Sequence, residues 1–205
     1  MLEWYRLGFE MYQLIEDVGN IASLAVGEKP QEIISYREAF VRYADIDPFT
    51  ASLAQLREKS RALFDIQMHD ENRDVWLDLL HTHLIEPNLG CDRLTFLVDY
   101  PASQAALATT KKDSDGFEVA ERFELYINGV EIANGYHELI DLNVHKSRHE
   151  NNNALRKSLG KRKMLDDEYL LGALRKGIPQ CAGVALGLDR LLMVALAQNE
   201  NSIHS

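Results

Sequence analysis

ERFELYINGVEIANGYHEL, residues 121–139, decides the fold. Two strand-like runs flank Asn128-Gly129, and both turn positions of a two-residue hairpin favour positive φ, which Asn and Gly tolerate. So short a turn fixes the register: Ile127 is expected to face Val130, Tyr126 to face Glu131, and Glu124 to face Ala133. Phe123, Leu125, Ile127, Val130 and Ile132 then fill one side of the ribbon. Glu124 and Glu131 share the other side as diagonal neighbours. Asn134 and Glu138 have the opposite parity to Glu131. A bulge near Asn134-Gly135 would bring them onto the polar face, since glycine permits one.

Two like charges placed so close cost stability unless a cation or a proton relieves them. Oxygen ligands suit Mg²⁺, which takes one or two carboxylates and completes its shell with water and substrate phosphates. A solvated sheet face with scattered glutamates satisfies the pattern equally well.

Working outward, LTFLVDY (94–100) reads as a strand by its β-branched and aromatic content and stops at Pro101. Before it, Phe9, Tyr12, Ile15, Val18 and Ala22 recur at helical spacing up to Gly27 and Pro30. Further helices are expected over about 36–44, 51–66 and 72–85, and, after the hairpin, over 143–159 and 166–175. The opening MLEWYR (1–6) alternates with period two and reads as a half-buried strand. Strands separated this unevenly favour an antiparallel α+β sheet over a regular βαβ series.

Composition narrows the function. The chain has 205 residues, 46% of them hydrophobic and 26% charged, as in an ordinary globular protein. A net charge of −10 argues against broad nucleic-acid binding, which needs Lys and Arg to neutralise phosphates. The basic stretch Lys146–Lys163 reads as a solvated helix face. Cys91 and Cys181 are isolated, which fits a reducing cytoplasm. His81 and His83 sit two apart in a helical run, so they point to different sides and make a poor metal pair. No apolar run reaches membrane-spanning length, and the first residues lack the layout of a signal peptide.

A second informative stretch is CAGVALGLDRLLMVALA (181–197): a small-residue strand, then a helix with Asp189-Arg190 at its start. Gly183 and Gly187 permit close approach by a flat or charged ligand, and a helix N-terminus favours phosphate. Arg190 suits a phosphate or the face of a base.

Together these stretches resemble the catalytic domain of class II aminoacyl-tRNA synthetases, lysyl branch. MLEWYR looks like the later part of motif 2, FELYINGVEIANGYHEL like the stretch that supplies magnesium and lysine ligands, and GVALGLDR like motif 3. Within the branch, LEWYR, YPASQAALA (100–108), the hairpin and GVALGLDRLLM are most similar to the lysyl-tRNA synthetase paralogues that attach (R)-β-lysine to a lysine of elongation factor P. The resemblance implies an α+β class II sheet flanked by helices. Motif 2 would lie at 1–6, a helical insertion at about 36–92, the metal and substrate hairpin at 117–139 and motif 3 at 181–197.

It also implies roles. Glu124 and Glu131 would hold Mg²⁺, and Glu124, the backbone of Leu125, Gly187 and Arg190 would hold ATP, with Arg190 and Glu124 acting in catalysis. Glu3, Tyr5, Glu131, Asn134, Glu138 and Ala185 would line the amino-acid pocket, Asn134 at the substrate carboxylate and Glu138 with Tyr5 at the side-chain ammonium. Lysyl-tRNA synthetases carry glycine where Ala185 stands, and one methyl is worth roughly 1–3 kcal/mol of discrimination, here against α-lysine. The expected cofactors are ATP and Mg²⁺, and the expected acceptor is elongation factor P rather than tRNA. A cytoplasmic homodimer is expected for the full-length parent, with no membrane partner. Motif 1, the early substrate loop and the motif 2 arginine would precede MLEWYR, and a last strand would follow the motif 3 helix. The chain is therefore expected to be a partial catalytic domain, N-terminally truncated and weak or inactive alone. A lysyl-tRNA synthetase core and a non-catalytic, synthetase-like binding fragment are the competing readings.

Overall fold

In the computed structural model the described residues are 1–64 and 69–203, with side chains described to residue 197. Seven strands form one sheet: β1 (Leu2–Leu7), β2 (Gln31–Ser35), β3 (Leu94–Pro101), β4 (Thr110–Lys112), β5 (Glu118–Ile127), β6 (Val130–His137) and β7 (Cys181–Leu186). Their order is β1-β7-β6-β5-β3-β2, with β4 alongside β5. All pairs are antiparallel except β2 with β3, which run parallel, so the expected antiparallel sheet is a mixed one. The connection from β2 to β3 is helical, as a parallel crossover requires. It contains α2 (Tyr36–Ala39), which continues as a π-turn over Phe40–Ala44, then α3 (Leu53–Leu63) and α4 (Arg73–Leu80), which continues as a π-turn over His81–Ile85. Residues 65 and 66 of the expected 51–66 helix lie outside the described residues.

The apolar residues of β3 explain its position. Leu94, Phe96 and Val98 enter a core formed with α1 (Met11–Val26) and α7 (Leu188–Ile203), whereas Leu97 and Tyr100 enter a second core under α2, α3 and α4. A strand buried on both faces reads as a continuous apolar run, and LTFLVDY is one. In α1 the buried stripe is Met11, Leu14, Ile15, Val18 and Ala22, while Tyr12 is turned toward solvent. Gly27 ends this helix with its N–H on the Ser23 carbonyl.

The hairpin has the expected two-residue tip, with Asn128 and Gly129 both at positive φ. Their N–H groups donate to the carbonyls of Gly90 and Leu89, which dock the tip onto the turn that precedes β3. The register departs from expectation farther along. Tyr126 pairs with Glu131, but Leu125 pairs with Ala133 and Glu124 with Asn134, so the extra residue of the bulge is Ile132. The bulge lies three residues from the tip, not at Asn134-Gly135. Ile132 and Ala133 both turn into the α1/α7 core, and every later side chain of β6 exchanges faces.

MLEWYR is a strand, as read, but it is the outer strand of the sheet and is less buried than the alternation suggests. Leu2 is 39% and Leu7 69% exposed, while Trp4 packs against the core. Asp17 of α1 ties this strand down by accepting from Trp4 Nε1 at 3.1 Å and Arg6 Nε at 2.8 Å. Two further helices, α5 (Leu142–Ser158) and α6 (Glu168–Lys176), lie between β6 and β7 in the chain.

Gly135 lies where the ring of Phe123 crosses the sheet. A Cβ there would collide with that ring and lie 3.1 Å from the Gly183 carbonyl oxygen. Gly135→Ala is therefore expected to destabilise the fold by about 1–3 kcal/mol through overpacking. Urea denaturation checks this, and an unchanged midpoint would show that the ring has room to move.

Candidate active site

With the bulge at Ile132, successive rows of residues cross the polar face of the sheet. One row runs Glu3, Ala185, Asn134, Glu124, and the next runs Tyr5, Gly183, Tyr136, Arg122, from β1 through β7 and β6 to β5. Glu131 projects beside Tyr126 at the hairpin end.

Glu124 is only 6% exposed and is fully engaged. Its Oε2 accepts from Tyr100 Oη and Tyr126 Oη, both at 2.6 Å. Its Oε1 accepts from Asn134 Nδ2 at 3.2 Å and pairs with the Arg122 guanidinium. Arg122 also donates to the Gln104 carbonyl at 3.0 Å and lies over the Tyr100 ring, 4.4 Å from its centroid. Burial together with the Glu124 charge raises both tyrosine hydroxyls well above their usual range, so they remain donors.

Glu131 is held differently. Arg190 Nη1 donates to its backbone carbonyl at 2.9 Å and to its Oε2 at 3.1 Å. Burial and then repulsion from Glu124 push the Glu131 carboxyl up, against the pull of Arg190. The next residue, Ile132, accepts at its carbonyl from the Gly187 N–H at 2.8 Å. The bulge thus fastens the start of α7 to the hairpin.

The structure gathers most of the sequence-predicted residues into two adjoining cavities, whereas Gly187 and Arg190 line neither and Arg190 stands at the hairpin end on Glu131. Glu124 and Glu131 line a cleft of about 750 Å³ with Arg122, Tyr100 and Tyr126. Glu3, Tyr5, Asn134, Glu138 and Ala185 line a pocket of about 290 Å³ with Tyr136 and Gly183. The Leu125 side chain lies in the opposite core, so only its backbone belongs to this neighbourhood. His81 and His83 diverge: His81 Nδ1 lies 3.3 Å from Glu86, and the His83 ring meets Phe64.

Glu138 contrasts with Glu124. Its side chain has no hydrogen-bond or ion-pair partner among the described residues, and burial alone raises its pKa to about 7. Tyr5 stands nearby, its hydroxyl pKa raised first by the Glu138 charge. Both lie over Gly183, where a Cβ would come within 2.5 Å of Glu138 Oε1 and 2.5 Å of a Tyr5 ring carbon. Sequence reasoning did not find Arg122, Tyr100 and Tyr136. The alternation of Arg122, Glu124 and Tyr126 along β5 was the available signal for the first.

Comparison with known proteins shows the family. The model of the family described as tRNA synthetases class II (D, K and N) matches residues 10–204, and the chain belongs to that family. A relative from Pasteurella multocida (strain Pm70), named elongation factor P–(R)-β-lysine ligase, is 43% identical over 199 residues, covering 97% of this chain and 61% of its own. Relatives of the same name from Proteus mirabilis (strain HI4320) and Photorhabdus laumondii are each 44% identical, covering 96% and 98% of this chain and 60% and 62% of their own. The chain thus spans about three fifths of the length of the curated relatives it matches.

The donor set fits magnesium in one manner. Four protein donors already use the acceptor positions of Glu124, while Glu131 has one oxygen outside its Arg190 pair. No cluster of three or more His, Cys, Asp or Glu suited to a metal occurs among the described residues. Such a pair suits an ion that arrives with nucleotide phosphates and not one caged by protein alone.

Removing the Glu124 carboxylate would strand a buried guanidinium and two tyrosine hydroxyls. Glu124→Ala is expected to cost about 3–5 kcal/mol, the usual consequence of removing one partner of a buried pair. Chemical denaturation measures it, and a loss below about 1 kcal/mol would show that water reaches Arg122.

Proposed function

We propose that this chain is the amino-acid- and nucleotide-holding part of an ATP-dependent ligase that activates (R)-β-lysine and transfers it to a lysine of elongation factor P. The observation that carries this reading is the partly buried, unpartnered Glu138 carboxyl in a pocket it shares with Tyr5, Asn134 and Tyr136. A buried carboxylate without a cation calls for one, and an alkylammonium supplies it. On this reading Asn134 orients the substrate carboxylate, and Glu131 lies between amino acid and nucleotide. Gly187, Arg190 and the Leu125 backbone receive ATP.

The reaction is in-line attack of the substrate carboxylate on the α-phosphate, giving an aminoacyl-adenylate and pyrophosphate. The ε-amine of the acceptor lysine then attacks the adenylate carbonyl and AMP leaves. Glu131, through its oxygen outside the Arg190 pair and with Glu124 beside it, would hold magnesium, which would supply charge neutralisation at the phosphates. The protein's share is positioning: Arg190 offers a guanidinium to the phosphates, and the Arg122–Glu124–Tyr100–Tyr126 network holds the carboxylate frame rigid. The names of the relatives support elongation factor P as acceptor in preference to tRNA. No helix among the described residues is long and apolar enough to cross a membrane. Cytoplasmic location and a homodimer are part of the proposed reading.

Ala185 favours this reading over a lysyl-tRNA synthetase core. Its row-mates are Glu3 and Asn134, so its methyl sits on the pocket floor where the lysyl-tRNA synthetase pattern has glycine. Calorimetry on the 205-residue chain tests it. (R)-β-Lysine is expected to bind at least about tenfold tighter than α-lysine, and Ala185→Gly is expected to narrow that gap. Tighter binding of α-lysine, or amino-acid binding indifferent to Glu138→Gln, would overturn the reading.

A further inference from the structure

The floor of the amino-acid pocket does not end at Glu138. Along β7, Ala185, Gly183 and Cys181 face one side, and Cys181 pairs across β1 with Leu7. The Glu138 N–H donates to the Cys181 carbonyl at 3.0 Å, so Glu138 marks the next row of the same face. Past it opens a second cavity of about 370 Å³, which shares Tyr5 and Glu138 with the amino-acid pocket. Its walls have a different chemistry. Leu170 and Leu174 come from α6, Ile178 from the segment after it, and Leu7, Leu107 and Ile140 from the strand edge and loops.

Three observations point to a ligand here. The chamber is concave and mostly aliphatic, with the His145 ring also on its wall, and of a size that small-molecule sites have. Leu7, Leu107 and Ile140 remain 69%, 46% and 38% exposed, leaving apolar surface for an occupant to cover. At its junction with the polar pocket stands the unpartnered Glu138 carboxyl. A group placed here would have an amine at its polar end and an apolar body beyond it.

We propose that the chamber is a subsite for an apolar substituent on the amine held at Glu138, so that the pocket accepts N-alkylated lysine-like amino acids as well as free amines. This rests on the reading of Glu138 as the ammonium site. A secondary ammonium keeps its charge and all but one of its N–H groups for Glu138, while its alkyl group lies against Leu170, Leu174 and Ile178. Each methylene withdrawn from water adds at most roughly fourfold to affinity, so a butyl group offsets some loss of fit at the nitrogen.

Methyl-labelled protein titrated with lysine, Nε-butyl-lysine and hexylamine tests the proposal, with the Ala185 methyl reporting the amino-acid pocket and Leu174 and Ile178 the chamber. Lysine is expected to shift Ala185 alone. Nε-butyl-lysine is expected to shift all three and to bind at least as tightly as lysine. Leu170→Trp, which fills the chamber from a partly exposed helix position, should weaken Nε-butyl-lysine at least tenfold and lysine less than twofold. Hexylamine shifting Leu174 and Ile178 while lysine leaves Ala185 unmoved would support the chamber and overturn the amino-acid reading of the pocket beside it. Absence of Leu174 and Ile178 shifts with both alkylated probes overturns the chamber, as does equal weakening of lysine and Nε-butyl-lysine by Leu170→Trp.

Discussion

One extra residue in β6 determines which side chains share the site. Without the bulge at Ile132, Asn134 and Glu138 would point into the α1/α7 core and Ala133 would face Glu124. With it, Glu124, Glu131, Asn134, Tyr136 and Glu138 stand on one side of the sheet. The bulge is held from both directions: Ile132 and Ala133 are buried in the core, and the Ile132 carbonyl accepts the Gly187 N–H at the start of α7. Bulges that re-aim side chains beside a site are a recurrent device in antiparallel pairs. Here the same device fastens the glycine-punctuated strand and its helix to the carboxylate hairpin.

The face so formed contains carboxylates in three different states. Glu124 is saturated with donors and acts as a fixed part of the frame. Glu131 is half committed, shared between Arg190 and whatever enters the cleft. Glu138 is partly buried and unpaired. Environments that drive similar groups apart in this way separate structural from ligand-binding duties, and the unpaired group is where binding free energy is available. Gly183 makes the arrangement possible, since any side chain there would occupy the space taken by Glu138 and Tyr5.

Much of this was legible in the sequence because it rests on short-range patterns. Asn128-Gly129 fixed the hairpin tip, LTFLVDY marked the doubly buried strand, and helical spacing found the long helices. The strand Gln31–Ser35 left little trace, because Ile34 alone of its residues is fully buried and Glu32 is spent on an ion pair with Arg42. The sequence pattern points to a bulge near Asn134-Gly135, where the glycine has the freest backbone. Yet that glycine serves to admit the Phe123 ring, and the extra residue is a buried isoleucine with no local signature. Tyr136 reaches the site from β6 through the register that the bulge at Ile132 shifts, and Tyr100 reaches it from β3 past a second irregularity between Val98 and Tyr100. The roles of Glu138 and Ala185 came from family resemblance. Their shared pocket is consistent with those roles.

The central claim is that Glu138 is a partly buried, unpaired carboxyl held ready for a cation. Burial raises its pKa to about 7, so ionising it works against the ligand-free fold as pH rises from about 4.5 through 7, and an ammonium ligand reverses that. A ¹³C NMR titration of the Glu138 carboxyl, without ligand and then with (R)-β-lysine, measures this directly. The account predicts a midpoint near 7 in the free protein that falls when the amine binds. A midpoint near the ordinary glutamate value of about 4.3 without ligand, or one that the amine does not move, would contradict it.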